Sequence, residues 1–394
     1  MSPASTATRL SFYYAALFAA VGAHMPFWPL WLQDKGLGPA EIGLIMAATY
    51  ATKILVGPAI GHVVDRHGDR RRPMLVLALG ATLAWQAFAV TDDFWPILAV
   101  TVLAVGLWTG IFPLGESLAM METQRQRLDY GRVRLWGSLS FIAAAIATGN
   151  LLTRQPPAVL AWVVGAALGL TALACWTLPS TATAGRGKTR APLGPLLRHP
   201  LFLAFLAAAS LNTAAHTVYY AFATIHWQAA GIDGDTIGLL WAEGVIAEVA
   251  LFAFSGRVVA RLGPGRLLVI ATVAGTIRWL ALGATTALPV LAVAQVLHAA
   301  TFGCAHLGAM HFIVRAVPHA LSARAQGMLS AVAMGAAPGL MSPVAGQLYE
   351  TLGGNAFFVM VALSAAGAGL ALVLAQRWNG DKIVQAQAAT DGNH

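Results

Sequence analysis

Charged residues are scarce in this chain of 394 residues, where Asp, Glu, Lys and Arg together make up only 10%. A soluble protein of this size would carry about a quarter. The few charges lie between long apolar stretches, and hydrophobic residues account for 58% of the sequence. This scarcity excludes an ordinary soluble domain and indicates a membrane protein with many spans.

Cysteine and the common catalytic motifs are also scarce or missing. Cys175 and Cys304 are the only cysteines, and both lie in apolar stretches, so small buried residues are expected rather than a disulfide. The sequence has no G-x-x-x-x-G-K-[ST] loop, no G-x-S-x-G turn and no H-E-x-x-H motif. These absences argue against an enzyme and against transport driven by ATP. We expect no cofactor and no bound metal.

The apolar stretches predict an all-α membrane protein with twelve transmembrane helices, because each stretch approaches or exceeds the about 20 residues that cross a bilayer. Barrel strands would be half as long and would alternate in polarity. The predicted spans lie near residues 9–32, 40–64, 72–90, 95–121, 132–152, 158–178, 200–227, 236–260, 266–284, 288–314, 323–348 and 355–377.

The net charge of +8 could suggest a nucleic-acid partner, but the distribution of the charges excludes one. With these spans, 20 of the 24 Lys and Arg residues fall on one side of the membrane, here called the basic side. Only Lys35 and Arg154 fall on the other side. Such a bias predicts that the basic side and both termini are cytoplasmic.

The chain is predicted to divide into two six-helix bundles. A small, polar and basic segment at 179–198 separates an N-terminal bundle at 1–178 from a C-terminal bundle at 199–379. The polar residues 380–394 are expected to form a disordered cytoplasmic tail. Gly36, Ile42 and Gly43 recur 195 positions later as Gly231, Ile237 and Gly238, so both bundles follow one plan. Both copies run in the same direction, which predicts parallel repeats around a central cleft.

A charge-dense loop between the second and third spans carries the pattern G-x-x-x-D-R-x-G-x-R-R. A weaker copy recurs at 256–266 with Ala260 in the aspartate position. With twelve spans and a central linker, this pattern resembles the major facilitator superfamily. Its positions are filled by Gly61, Asp65, Arg66, Gly68, Arg70 and Arg71.

A narrower resemblance extends over nearly the whole chain. The matching segments are 26–28 (PFW), 128–138 (LDYGRVRLWGS), 219–222 (YYAF), 277–279 (IRW) and 283–289 (GATTALP). They are similar to the phenylpropionate permease group, which is close to the nucleoside–proton symporters. The resemblance implies a monomeric inner-membrane symporter that imports a small aromatic carboxylic acid, such as 3-phenylpropionate, with protons by alternating access. A nucleoside symporter, an exporter of drugs or metabolites, and a transporter-like sensor remain alternatives.

The motif loop has two interpretations. Asp65 and Arg66 could form a gating latch across the seam between the bundles, in a gating motif that also includes Arg70, while Gly61 and Gly68 allow close helix approach and a turn. Alternatively, the arginines only anchor the topology at anionic headgroups.

Ionisable residues within spans are costly in hydrocarbon and are therefore candidates for function. Glu116 follows Pro113 in the fourth helix and could bind and release the coupled proton. Lys53 could meet a substrate carboxylate or could pair with Glu116. Glu248 and Arg278 lie at similar depth on adjacent helices, which predicts a structural ion pair and leaves Glu243 as a second proton carrier.

The histidines and aromatic residues complete the predicted site. His298 and His306 are eight residues apart on one helix face and could relay protons, although such histidines often form only helix–helix hydrogen bonds. Stacking on an aromatic ring is expected from tryptophan and tyrosine side chains. The remaining predicted substrate-binding residues are His24, Trp28, His216, Tyr219, Tyr220 and Trp241.

Overall fold

The computed structural model describes residues 2–67, 69–180 and 194–384, without the side chains at 57–59 and 61–67. Twelve long helices run through these residues. In the N-terminal half they are α1 (Pro3–Asp34), α2 (Pro39–His67), α3 (Arg71–Gln86), α4 (Phe94–Gln126), α5 (Tyr130–Arg154) and α6 (Val159–Thr177). In the C-terminal half they are α7 (Pro200–Ala229), α8 (Gly234–Ala253), α9 (Ser255–Ala284), α10 (Leu288–Ala316), α11 (319–352) and α12 (Ala356–Arg377).

These helices are long and apolar enough to cross a membrane. Eleven stretches meet that condition, and the last, His319–Arg377, contains both α11 and α12 with the 3₁₀ turn Gly353–Asn355 between them. Large apolar side chains such as Leu83, Trp95 and Leu340 are exposed, as a lipid-facing surface requires. The predicted all-α, twelve-helix membrane fold is therefore confirmed.

Each half is a bundle with the same plan. In the N-terminal half α1 packs on α5 and α6, and α3 packs on α4 and α6; in the C-terminal half α12 packs on α7 and α9. Gly36 after α1 and Gly231 after α7 both have positive φ, 83° and 86°, which glycine adopts without strain. The repeat seen in the sequence is thus a repeat of turn geometry.

The two charge-rich loops are shorter than predicted. α2 continues to His67, so Gly61 lies inside the helix, and α3 begins at Arg71. The second copy, predicted as a loop from Gly256 to Arg266, is helical on both sides of Gly263, where φ of 71° and ψ of 166° divide α9 into two helices at a kink. Hydropathy marks where the hydrocarbon ends, and these helices extend past that point because charged residues are tolerated in a helix outside it.

Besides α9, three helices of the C-terminal half are irregular. α7 is interrupted at Ala215 and His216, α10 contains a π-helical segment at Ala299–Cys304, and α11 contains one at Leu329–Ala336. The α11 segment precedes Pro338, which cannot donate a helix hydrogen bond. The glycines and prolines of α11 thus coincide with a change of helix type.

The two halves touch through glycines at two seams, both on the side opposite the basic side. Between α2 and α11, a Cβ built on Gly346 would lie 2.5 Å from the Pro39 carbonyl oxygen. Between α5 and α8, a Cβ built on Gly149 would lie 2.3 Å from the Gly234 carbonyl oxygen. Backbone therefore meets backbone at both seams, and the cleft between the halves is closed at this end.

Candidate functional site

A fully buried arginine forms the centre of a polar network in the C-terminal half. Arg278 of α9 is 0% exposed. Its Nη1 donates to Thr301 Oγ1 at 3.2 Å and lies 3.1 Å from His298 Nδ1, while Nη2 donates to Gln295 Oε1 at 3.1 Å. A guanidinium can only donate, so His298 Nδ1 must accept. His298 then carries its proton on Nε2, which lies 3.8 Å from Glu248 Oε2.

Aromatic rings enclose the guanidinium. The Cζ atom of Arg278 lies 4.3 Å from the Tyr219 ring centroid and 5.0 Å from that of Trp279. The Tyr219 hydroxyl donates to the same Gln295 oxygen at 2.8 Å. Stacking on these faces stabilises a cation that has left water. The network is therefore rigid and almost completely excluded from solvent.

The interrupted helices supply the remaining hydrogen bonds. His216, at the break in α7, lies with Nδ1 2.7 Å from the Asn212 carbonyl oxygen and Nε2 3.3 Å from Thr301 Oγ1. Asn212 Nδ2 donates to the Thr301 carbonyl at 3.1 Å. The π-helical segment of α10 frees such carbonyls and holds Thr301 between Arg278 and His216. His216 and His298 thus belong to one network, as helix–helix hydrogen-bonding residues.

The predicted structural ion pair between Glu248 and Arg278 is wrong. Within the described residues every hydrogen-bond partner of Arg278 is neutral, and the carboxylate of Glu248 is near His298 instead. The Nη donors of Arg278 are taken by side chains of α10, and its Nε has no hydrogen-bond partner within the described residues. Gln295, His298 and Thr301 recur every three residues, and this spacing is the signal in the sequence that could have revealed them.

Glu116 occupies the N-terminal side of the cleft. Its Oε2 accepts from the Tyr14 hydroxyl at 2.9 Å, and its Oε1 accepts from the Tyr130 hydroxyl. The Arg134 guanidinium lies 5.3 Å from the ring centroid of Tyr14 and 4.0 Å from that of Phe18. The alternative pairing of Glu116 with Lys53 is not formed. Tyr14, Tyr130 and Arg134 were not predicted as site residues, because they lie near the ends of their spans and the candidates were ionisable residues in mid-span.

Lys53, at the cleft, has no acidic partner among the described residues. Its Nζ lies 5.3 Å from the ring centroid of Tyr50, one turn earlier on α2, and its side chain is exposed. The same face of α2 meets α11, where Ile54 packs on Gly335. Lys53 therefore lies at the boundary between the two halves.

His24 and Trp28 belong to an aromatic cluster inside the N-terminal half. His24 stacks on Trp28 with centroids 5.2 Å apart and meets the edges of Trp85 and Trp108. Trp28 also stacks on Trp31 at 4.5 Å. Trp28 is 3% exposed, so a substrate cannot stack on its ring in this conformation. The Nε2 atom of His24 has no hydrogen-bond partner within the described residues.

The predicted aromatic residues of the C-terminal half also form a cluster, and one of them is partly exposed. Trp241 is tilted on Tyr219 at 4.7 Å and stacked on Tyr220 at 6.2 Å, and its Nε1 donates to Thr224 Oγ1 at 3.0 Å. Tyr219 and Trp241 are buried, whereas Tyr220 is only half-buried. Tyr220 is the ring of this group that a ligand in the cleft can reach.

Glu243 and His306 are not brought together with the other predicted residues. Glu243 lines a surface groove with apolar side chains of α5, α8 and α10, among them the exposed Leu239 and Ile246. Its exposed apolar side chains are typical of a lipid-facing surface, and the groove is separate from the network around Arg278. His306 is exposed, and its described ring contacts are to Phe252 and Phe302.

The motif residues are described only in part. The side chains of Asp65 and Arg66 lie outside the described residues, as does Gly68, so the latch stays a prediction. Arg70 Nε donates to Ser117 Oγ of α4 at 3.1 Å and joins the start of α3 to α4. In the described ranges no three His, Cys, Asp or Glu side chains come together as metal ligands would.

Comparison with known proteins gives a consistent result. The model of the MFS_1 like family matches residues 7–360. A probable 3-phenylpropionic acid transporter of Escherichia coli K12 is 35% identical over 89% of this chain and 93% of its own length. The maltose permease of Geobacillus stearothermophilus is 28% identical over 88% and 89%.

Solved structures agree on the fold. The nucleoside transporter NupG superposes with a TM-score of 0.79 at 16% identity, covering 94% of this chain and 98% of that one. A bacterial homologue of the human lysosomal transporter Spinster, inward-facing and unoccupied, has a TM-score of 0.72 at 13% identity, covering 95% and 97%. At such identities the likeness shows the fold alone.

Proposed function

Because this chain belongs to the MFS_1-like family of membrane transporters, we propose that it imports a small aromatic carboxylic acid together with a proton. The relatives and structural neighbours are transporters and not enzymes. The proposed substrate resembles 3-phenylpropionate, the acid in the name of the relative that is 35% identical. The proposed location is the inner membrane, with the basic side in the cytoplasm and a monomer as the working unit.

The observation that carries the substrate class is the position of Lys53. It is a cation at the boundary of the two halves, beside the Tyr50 ring, without a carboxylate partner in the described part of the chain. A cation within a membrane span, even one exposed to a cleft, is stabilised by an opposite charge, and a substrate carboxylate would supply one. The aromatic ring of the substrate would then lie between Tyr50 and Tyr220, which come from opposite halves.

Glu248 and His298 are the proposed proton carriers. Glu248 faces the Nε2 proton of His298 at 3.8 Å, and the charge of Arg134 acts on it from the other half. An ionised Glu248 attracts Arg134 across the cleft, and a protonated one does not. Proton binding would therefore change the attraction between the halves, which is what coupling to alternating access requires. Glu116, held by two tyrosines, would position Arg134.

Uptake of radiolabelled 3-phenylpropionate into proteoliposomes tests the proposal. With an acidic exterior we expect accumulation that a protonophore abolishes and that excess unlabelled uridine does not reduce. Lys53→Gln should raise KM by about tenfold or more, while Lys53→Arg should retain most uptake, since losing one charge-assisted contact removes about 1.5–3 kcal/mol. Competition by uridine, or unchanged KM in Lys53→Gln, contradicts the proposed substrate.

A further inference from the structure

We propose that a pocket between the basic-side ends of α1, α3 and α6 binds the phosphate headgroup of an anionic phospholipid. The pocket has a volume of about 400 Å³ and lies away from the cleft. It is lined by Thr8, Arg9 and Phe12 of α1, Arg71 at the start of α3, and Trp176 and Thr177 at the end of α6. The inference depends on the membrane fold and not on the proposed substrate.

Two arginines from different helices are fixed at this pocket. Arg9 Nη1 donates to the Thr177 carbonyl at 2.7 Å, and Arg71 Nη2 donates to the Trp176 carbonyl at 2.5 Å. These carbonyls are among the last of α6 and have no partner within the helix. Each guanidinium has five N–H donors, and the bond to the α6 carbonyl uses one of them and fixes the position of the group. The two bonds place two positive charges side by side.

The remaining walls are apolar and face outward. Trp176 is 59% exposed and Phe12 is 37% exposed, at the basic-side ends of their helices. Aromatic side chains at helix ends lie at the headgroup level of a bilayer. An inorganic anion would need only the arginines, whereas a phospholipid also uses the exposed rings for its glycerol and upper acyl groups.

Charge complementarity selects the class of lipid. Among the described residues no acidic side chain lines the pocket. With the basic side in the cytoplasm, as proposed, the pocket faces the leaflet that is rich in anionic lipids. Basic pockets between transmembrane helices on that side bind anionic headgroups. A phosphatidylglycerol molecule fits this chemistry, because its headgroup adds no cationic group that the arginines would repel.

The test compares lipids on the full-length protein purified in detergent. Dioleoylphosphatidylglycerol in mixed micelles should raise Tm by about 3 °C, whereas dioleoylphosphatidylcholine and inorganic phosphate should not. Native mass spectrometry should show one retained phosphatidylglycerol. An equal shift with phosphatidylcholine, or with phosphate alone, overturns the proposal.

Matched variants separate lipid binding from helix capping. Arg9 and Arg71 cap α6, so their removal could destabilise the fold directly. Thr8→Glu leaves both arginines in place and adds a carboxylate to the pocket, and Thr8→Gln is its uncharged control. We expect Thr8→Glu to lose more than half of the phosphatidylglycerol shift, and Thr8→Gln and the exposed Arg72→Gln to keep it. If Thr8→Glu keeps the full shift, the lipid binds elsewhere and the proposal is overturned.

Discussion

The two halves share a backbone plan but bury different chemistry. The C-terminal half encloses a guanidinium, two histidines and four neutral polar side chains in one hydrogen-bonded network around Arg278. The N-terminal half encloses an aromatic cluster around His24, and its charged groups Lys53 and Glu116 are exposed to the cleft.

The comparison separates two tasks. Features shared by both halves, such as Gly36 and Gly231 in their left-handed turns, serve the common geometry of the repeat. Features that occur in one half alone serve the chemistry of the site. The π-helical segments and the break in α7 occur in the half that holds the polar network, where freed backbone groups find side-chain partners. Irregular backbone in a membrane protein is tolerated where such partners exist.

The largest expected effect breaks the network itself. Arg278→Met should destabilise the detergent-purified protein by about 3 kcal/mol, because buried acceptors on Gln295, Thr301 and His298 lose their donor. The matched N-terminal change is His24→Leu, which removes a side chain whose Nε2 has no partner and should cost less than about 1 kcal/mol. Thermal unfolding followed by tryptophan fluorescence compares the two. Equal losses would show that the halves do not differ in this way.

A smaller effect on stability, but a specific one on transport, is expected at the cleft carboxylates. Glu248→Gln cannot ionise, so accumulation driven by a proton gradient should fall at least tenfold while counterflow exchange continues. Glu116→Gln is the matched variant in the other half. It keeps one oxygen acceptor for a tyrosine hydroxyl and should retain gradient-driven accumulation with a raised KM. Proton-driven accumulation that survives in Glu248→Gln but not in Glu116→Gln would assign coupling to the N-terminal half.

The smallest effect concerns helix caps outside the membrane. Asp233 Oδ1 accepts from the Thr236 backbone N–H at 2.8 Å at the start of α8, and this bond holds the pKa of Asp233 below its ordinary value. A carboxyl with a lowered folded pKa adds stability above its unfolded pKa of about 3.9 and loses it as pH falls through the folded value. Asp233→Ala should therefore lower Tm slightly at pH 7 and progressively less in acid. Asp233→Asn, which keeps the cap acceptor, is the control, and a deficit that grows in acid contradicts the assignment.

Much of the fold could be predicted from hydropathy and from the repeat, because both follow from simple physical requirements of the bilayer. Helix ends were harder to predict. The segment ending at His67 looked like a loop because it is charged, yet it is the continuation of α2 beyond the hydrocarbon. The π-helical segments could not be predicted, since no local residue pattern distinguishes π from α geometry before the partners of the freed carbonyls are known.

The site was predictable in its residue types and less so in its pairings. Arg278 and Glu248 were recognised as intramembrane charges, but equal depth on adjacent helices does not decide which donors meet which acceptors. Gln295 and Thr301 took the donors of Arg278 because they lie on the face of α10 that meets it. Neutral polar residues within a span are weaker indicators of a site than charged residues, although they complete the network.

The glycine seams have a kinetic consequence. At Gly149 on Gly234 and at Gly346 on Pro39, the halves touch through main chain, and Asn150 and Thr153 of α5 add hydrogen bonds to Asp235 of α8. Separating the halves at these seams breaks a few hydrogen bonds and requires little repacking of large side chains, so repacking contributes little to the activation barrier. With such contacts at the α2–α11 and α5–α8 seams, the two halves could separate at the closed end as rigid bodies. The rate would then depend on the surrounding lipid and on the charges in the cleft.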